Sequence, residues 1–108
     1  MTARLAAGIL VSALIRRVEN EGGSAAVLAR GDATGGALLI QLAERGVPGP
    51  LIEPVLDRDG NYVWGPTGPQ DAAQRADYIA RRRKSDPDLW VLELDSTHAA
   101  RIVADVAG

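Results

Sequence analysis

The sequence predicts an α+β domain in which a largely antiparallel sheet of about five strands is packed by two or three helices. Apolar residues recur at helical spacing near both ends of the chain and in its second half, and short apolar runs bounded by Gly, Pro and Asp lie between. Ten Gly or Pro residues from Gly46 to Pro69 exclude a helix there. The expected order is α-β-β-β-β-α-β-α in one globular domain, residues 1–108.

The first helix is predicted by apolar residues at i, i+4 and i+8, which are Leu10, Leu14 and Val18. Gly22 and Gly23 end it, because glycine readily adopts the left-handed conformation that closes helices. One alternative stays open at its beginning. Gly8 disfavours a helix interior by about 1 kcal/mol, so Ile9–Val11 can form an extended lead-in with Ser12 as the N-cap.

The next four elements are predicted as strands. Ser24–Arg30 and Gly36–Leu42 are short apolar runs on either side of Gly31–Gly35, and this pattern predicts a β-hairpin. Leu51–Leu56 and Asn61–Trp64 form two more strands joined by a turn.

Two prolines in the middle of the chain indicate the position of the third strand in the sheet and the beginning of the second helix. Pro54 has no N–H to donate, so the third strand is expected at an edge of the sheet or with a bulge. Pro69 is tolerated in the first turn of a second helix, where Thr67 and Gln70 form a capping box.

The second helix carries an apolar stripe at 3.6-residue spacing, formed by Ala72, Ala76, Ile79 and Ala80. Two i, i+4 ion pairs are expected along it, Asp71–Arg75 and Asp77–Arg81. It ends before Pro87, which cannot continue a helix.

Leu89–Leu94 is predicted as the last strand. The residues that share one of its faces are Trp90, Leu92 and Leu94. Ser96 or Thr97 caps a last short helix. The apolar residues of that helix are Ile102, Val103 and Val106.

Both faces of the predicted sheet are apolar, because its second and last strands carry apolar side chains in both alternating sets. Exposed apolar patches larger than a few hundred Å² are rare on monomers. The helices are rich in Ala, which buries little area. We therefore expect a second copy of the chain to cover part of the second face or an edge strand, which predicts a homodimer.

The composition excludes several function classes. With no Cys and a single His, His98, the 108 residues offer no thiol nucleophile, disulfide or thiolate metal site, and we expect no cofactor and no metal. The net charge of −2 and the pI of about 5.3 give no global attraction to nucleic acid. Leu5–Ile15 is apolar but shorter than the roughly 20 residues that span a bilayer, and no cleavage site follows it. A cytoplasmic location without membrane contact is therefore expected.

Three segments carry a resemblance to a known family. They are VSALIRR (Val11–Arg17), RGD with a glycine-containing turn (Arg30–Gly36) and DPDLWVLEL (Asp86–Leu94). Together they resemble a family of small bacterial proteins known as domain of unknown function 1491, over nearly the whole chain. The resemblance implies a single bacterial domain. Because the family has no established activity, it implies no catalytic or binding residue.

The strongest local signal is a basic window in the second predicted helix. Its cations are Arg75, Arg81, Arg82, Arg83 and Lys84. Cations at the end of a helix complement its dipole by about 0.3–1 kcal/mol each, and this is the favoured interpretation. The alternative is contact with an anionic partner such as RNA, DNA or an acidic protein surface. Tyr62, Trp64 and Trp90 are interpreted as core residues rather than as base-stacking ones.

Three other motifs have counterparts in functional sites. Gly31–Gly36 resembles a phosphate-binding loop, but it lacks the Lys and leads into a strand. Asp57–Asn61 resembles the beginning of a calcium loop, but the Gly and Glu that such a loop requires are missing. Both are interpreted as turns. His98, beside Thr97, more often lies on a helix surface than acts as a general base.

These observations predict a non-enzymatic binding or assembly module that forms a homodimer or binds a protein partner. A first alternative is a nucleic-acid or polyanion binder that uses residues 75–84. A second is a small enzyme with active carboxylates, for example Asp57 with Asp59, or with His98, and it requires a concave pocket that holds carboxyl groups of perturbed pKa.

Overall fold

The computed structural model describes residues 5–108, so the first four residues of the predicted domain 1–108 lie outside the described part. Within that part, three α-helices and a five-stranded sheet form an α+β fold in the predicted order. The elements are α1 (Ala7–Asn20), β1 (Ser24–Ala29), β2 (Leu38–Glu44), β3 (Val47–Leu56), β4 (Tyr62–Thr67), α2 (Arg75–Ser85), β5 (Trp90–Asp95) and α3 (Ala99–Ala107). A 3₁₀ turn, Ala72–Gln74, leads into α2.

The strands lie in the order β1-β5-β2-β3-β4. β5 is antiparallel to β1 and parallel to β2, and the other neighbouring pairs are antiparallel, so the sheet is largely antiparallel as predicted. The predicted hairpin between Ser24–Arg30 and Gly36–Leu42 is wrong, because β5 lies between these two strands. Gly31–Gly35 instead passes the beginning of β5, where the Asp32 N–H donates to the Asp88 carbonyl oxygen at 3.0 Å.

The first face of the sheet, defined by Trp90, Leu92 and Leu94, is covered by α1 and α3. The alternation along β5 predicts that these three side chains share a face, and the structure confirms it. The helices contribute Ala7, Val11, Leu14, Val18, Ala99, Ile102 and Val103. Full burial of a Leu, Ile or Val side chain stabilises the fold by about 1.5–3 kcal/mol, so this layer is the main core.

α1 begins at Ala7, so the alternative of an extended Ile9–Val11 capped by Ser12 is wrong. The N–H groups of Ala7 and Gly8 donate to carbonyl oxygens of the segment between β1 and β2, at 3.1 and 2.8 Å. These bonds satisfy two of the N–H groups that a helix leaves without partners at its beginning. They offset the cost of a glycine in the first turn. Gly22, with φ of 87°, follows the helix as predicted.

The second face, defined by Leu89 and Val91, is covered by α2. These two side chains, together with Leu39 and Leu51, have no exposed surface. Each face of the sheet is thus covered by helices of the same chain. The premise that this face needs a second copy is wrong, and the homodimer itself stays a prediction.

α2 does not bury the predicted alanine stripe. Ala72, Ala76 and Ala80 are exposed. Only Ile79 of the stripe packs against the second face, and Tyr78 lies beside it. The helix is rotated because a tyrosine and long arginine stems bury more apolar area than alanines do.

The beginning of α2 also differs from the prediction. Asp71 is the N-cap of the 3₁₀ turn, and its carboxylate accepts the backbone N–H two residues later at 3.0 Å. The Thr67–Gln70 capping box is therefore wrong. The predicted ion pairs Asp71–Arg75 and Asp77–Arg81 are both absent from the ion pairs of residues 5–108.

β3 lies between β2 and β4, so the prediction of an edge strand is wrong. Its pairing with β2 stops at Ile52, however, and Pro54 pairs only with Trp64 of β4. The predicted alternative, a bulge, is present: between the pairs Gln41–Leu51 and Ala43–Pro48, β3 has one residue more than β2, although Pro54 lies outside this bulge. The proline is tolerated because its β2 side has no partner strand.

The end of α2 follows the prediction, whereas the beginning of α3 does not. α2 ends at Ser85, before Pro87. The N-cap of α3 is His98 and no side chain caps the helix, so the prediction that Ser96 or Thr97 caps it is wrong. The Ser96 hydroxyl accepts the N–H of His98 at 3.1 Å, and the Thr97 hydroxyl donates to Glu44 of β2 at 2.9 Å. None of the helices in residues 5–108 combines the length and the hydropathy that crossing a membrane requires.

Candidate functional site

The five cations of the basic window do not form one surface. Arg75 is only 8% exposed. Its guanidinium donates to three backbone carbonyl oxygens, those of Gly49, Pro69 and Gln70, the last two at 3.0 and 2.7 Å. It therefore holds the beginning of β3 against the segment that leads into α2.

Arg82 and Arg83 are also bound within the fold. Two nitrogens of Arg82 lie 2.8 Å from the two carboxylate oxygens of Glu53, and one of them lies 2.8 Å from the Tyr78 hydroxyl. The hydrogen bonds from Arg82 hold the pKa of Glu53 below its usual value, against the opposing effect of burial. Arg83 donates to two carbonyl oxygens of the segment before β5, at 2.6 and 2.9 Å.

Arg81 and Lys84 are the members of the window that face solvent. Neither forms an ion pair within residues 5–108. The geometry thus leaves two of the five cations available to an anionic partner. A patch of two exposed charges is weak for a polyanion, since affinity grows with the number of neutralised phosphates.

The carboxylates of the enzyme alternative lie apart from the histidine. Asp57 and Asp59 are in the turn between β3 and β4, where one Asp57 oxygen accepts the N–H groups of Asp59 and Asn61 at 2.8 and 2.9 Å. This is the turn role that the sequence predicts. His98 lies near the opposite end of β3, about 30 Å away for a strand of this length.

An open cleft of about 490 Å³ surrounds His98 where β2 and β5 end. Its carboxylates are engaged in the fold: Glu44 accepts the Thr97 hydroxyl at 2.9 Å, and Asp95 accepts two N–H groups of the β2–β3 turn at 2.8 Å. Glu21 accepts a hydrogen bond from Arg17 at 2.8 Å, which lowers the pKa of Glu21. Among residues 5–108, no group of three or more His, Asp or Glu side chains is arranged to hold a metal.

Gly31–Gly36 packs against the beginning of β5. A Cβ at Gly31 or Gly36 would lie 2.1 or 2.3 Å from the Asp88 carbonyl oxygen, so the close approach requires glycine. The Asp32 carboxylate accepts two N–H groups of the loop, at 3.2 and 2.7 Å. The donors that a phosphate would need are therefore already used.

Beyond Ile52, β3 forms no further pairs with β2, and the rest of the β3–β4 hairpin, residues 53–65, is a two-stranded arm. Three large apolar side chains of the arm are exposed: Leu56 by 58%, Tyr62 by 73% and Val63 by 45%. Leu56 and Tyr62 are cross-strand partners and share one face, and Val63 lies on the other. The arm therefore presents apolar surface on both sides.

One of the three aromatic residues predicted in the core lies in the arm and is exposed. Trp90 is buried as predicted, and Trp64 is half-buried, with its indole N–H donating to the Ala107 carbonyl oxygen at 3.2 Å. Tyr62 is exposed, so its assignment to the core is wrong. Sequence reasoning missed the arm because alternation indicates a strand but not where the neighbouring strand ends.

The profile of a protein family of unknown function, DUF1491, matches residues 5–104. The protein belongs to the DUF1491 family. Comparison with curated proteins finds no match.

Solved structures of DUF1491 proteins share this fold. A crystal structure of a member from Caulobacter crescentus CB15, at 1.87 Å resolution, has 32% identity and a TM-score of 0.76, and the alignment covers 92% of this chain and 94% of that one. An NMR structure of a DUF1491 protein from the same organism has 32% identity and a TM-score of 0.74, covering 94% of both chains. The solution structure of protein Atu0922 from A. tumefaciens has 30% identity and a TM-score of 0.69, covering 87% of both.

Proposed function

We propose that this DUF1491 protein is a non-enzymatic, cytoplasmic assembly module that forms a homodimer through the arm. The observation that carries the proposal is the exposure of Leu56, Tyr62 and Val63 on a two-stranded extension. Isolated two-stranded hairpins are marginally stable in water, and apolar side chains on both sides of one are a signature of a contact surface.

A second copy is the occupant that the arm fits best. β4 is an edge strand, so its outer backbone N–H and C=O groups are unpaired within the sheet. Tyr62–Gly65 carries none of the charges that usually protect an edge from pairing. Antiparallel pairing of β4 with β4 of another copy obeys a two-fold axis and closes after two chains. Pro66 confines this pairing to the outer part of the strand.

Sedimentation of a charged edge variant tests the proposal. We expect the protein at micromolar concentration to have twice the 11.4 kDa mass of one chain, and Val63→Lys to have the mass of one chain. Val63 is 45% exposed, so the substitution is compatible with folding, which circular dichroism checks. The matched control is Leu28→Lys on β1, the other edge strand, where Leu28 is 52% exposed. This control should remain dimeric.

Two results contradict the proposal. A wild-type protein that sediments only as a single chain removes the homodimer. A dimer that Leu28→Lys dissociates and Val63→Lys preserves moves the interface to β1 and removes the arm as the contact surface.

A further inference from the structure

A second concave feature, besides the cleft around His98, lies at the end of β3 and β4 that is opposite to the arm. An open pocket of about 390 Å³ is bounded by the beginning of β3, the end of β4 and the segment before α2. Its rim carries Pro48, Pro50, Pro66 and Pro69, four of the six prolines of the chain. Leu51 and Arg75 also line it, and both are buried. Pockets of a few hundred Å³ with apolar walls and few polar groups are typical of small-molecule sites.

Arg75 gives this pocket an uncompensated charge. Among residues 5–108, Arg75 is the one charged residue that is buried. No carboxylate of these residues forms an ion pair with it. The nearby Asp71 carboxylate caps the 3₁₀ turn instead. A guanidinium has five N–H donors, and three of them reach carbonyl oxygens. Buried charges in proteins are normally paired with an opposite charge.

Two other arginines, Arg82 and Arg83, are also bound within the fold, but each has a compensation for its charge that Arg75 lacks. Arg82 meets the Glu53 carboxylate in a bidentate pair at 2.8 Å. Arg83 is bound to carbonyl oxygens as Arg75 is, but it lies in a more exposed position where water compensates its charge. Arg75 alone among these three combines burial with neutral partners.

We propose that the pocket binds the carboxylate of a small apolar ligand, with Arg75 as the anion contact. One N–H on Nη1 and one on Nη2 of Arg75 remain, and two N–H groups are the number that a carboxylate accepts in a bidentate pair. The proline rings provide the apolar wall for the group that bears it. The prolines also fix the rim in one conformation, which lowers the entropy cost of binding.

The same residues disfavour a phosphate ligand. A phosphate carries up to two charges and three acceptor oxygens, and sites for it use several cations or backbone N–H groups. The pocket has one cation, and its four prolines have no N–H. A singly charged carboxylate matches this donor set better. The carboxylate of a free small acid and that of a peptide C-terminus share this chemistry.

Titrations followed by ¹H–¹⁵N NMR test the proposal on the wild-type protein. Isobutyrate should shift the Arg75 Nε–Hε signal and the amides of Gly49 and Gly68 in a saturable way, with a dissociation constant of roughly 1 mM. Isobutyramide has the same shape without the charge and should leave them unchanged. A dipeptide ending in Val, with a free or an amidated C-terminus, distinguishes a peptide carboxylate from a free acid: tighter binding of the free-carboxylate peptide than of isobutyrate assigns the peptide source.

Two variants complete the test without disturbing the hydrogen bonds of Arg75. Pro50→Glu places a negative charge at the rim, which repels the carboxylate of isobutyrate and should weaken its binding by roughly fivefold. Pro54→Glu adds the same charge to the arm, where the proline is also exposed, and should leave binding unchanged. Equal shifts with isobutyrate and isobutyramide, shifts that do not saturate, or equal weakening by both variants would overturn the proposal. The test does not depend on the homodimer, because each chain carries a complete pocket.

Discussion

Replacing Gly36 by alanine should destabilise the protein strongly. The added Cβ would lie 2.3 Å from the Asp88 carbonyl oxygen and 2.9 Å from the Asp32 carbonyl oxygen. Both atoms belong to the backbone, so they cannot rotate away as a side chain does. Overpacking that a core can absorb costs about 1–3 kcal/mol. Because these contacts are with backbone, we expect a loss of roughly 3 kcal/mol or more.

Gly35→Ala is the matched control in the same loop. Its Cβ would meet nothing closer than 3.7 Å, and its φ lies outside the left-handed region. Alanine there restricts the unfolded chain without strain, which stabilises by about 0.4–1 kcal/mol. The two neighbouring substitutions should therefore act in opposite directions.

Chemical denaturation followed by tryptophan fluorescence measures both effects, because Trp90 packs beside this loop. A domain of this size has a free energy of unfolding of about 5–15 kcal/mol, so a loss of 3 kcal/mol is easily resolved. Equal midpoints for Gly36→Ala and the wild type would refute the reasoning, since they would mean that the loop does not approach the backbone before β5.

Two other predictions concern charges. Glu53→Gln should lower the free energy of unfolding at pH 7 by roughly 1–2 kcal/mol, because it removes the partly exposed pair with Arg82. The pKa of Glu53 is depressed in the folded protein, so the higher free energy of unfolding of the wild type is present above the ordinary carboxyl pKa and is lost as the pH falls through the folded pKa. Urea denaturation of both proteins from pH 7 to pH 3 measures this difference. A difference in free energy that is constant with pH contradicts the prediction. For the polyanion alternative, Arg81→Gln with Lys84→Gln should abolish any retention on heparin at low salt, while the fold is kept. Retention that persists in this double variant would show that other cations carry it.

The sequence predicts individual elements well where one pattern dominates. In β5, the alternation of Trp90, Leu92 and Leu94 determines both the strand and the face that it buries, and the structure confirms it. In α1, helical spacing and the terminal glycines place the helix correctly. These signals are local, because they depend on the period of the backbone and on glycine conformations.

The sequence fails where the outcome depends on distant residues. Gly31–Gly35 has the composition of a hairpin turn, but no local signal shows that β5 will lie between the flanking strands. The alanines of α2 have helical spacing, yet Tyr78 and Arg82 face the sheet because Glu53 lies there. The buried Arg75 was expected in a basic surface and instead lines a pocket. Tertiary partners of this kind override local propensity.

The position of β5 has a consequence for how the chain acquires its structure. β5 lies between β1 and β2 and pairs with both of them. It is also the last strand in the sequence and therefore the last to leave the ribosome. Until then, two apolar strands have open inner edges, a state prone to aggregation. Strand pairing across this sequence distance also slows folding. Nascent chains cut before Trp90 should therefore need chaperones, because β5 supplies the strand that both β1 and β2 pair with.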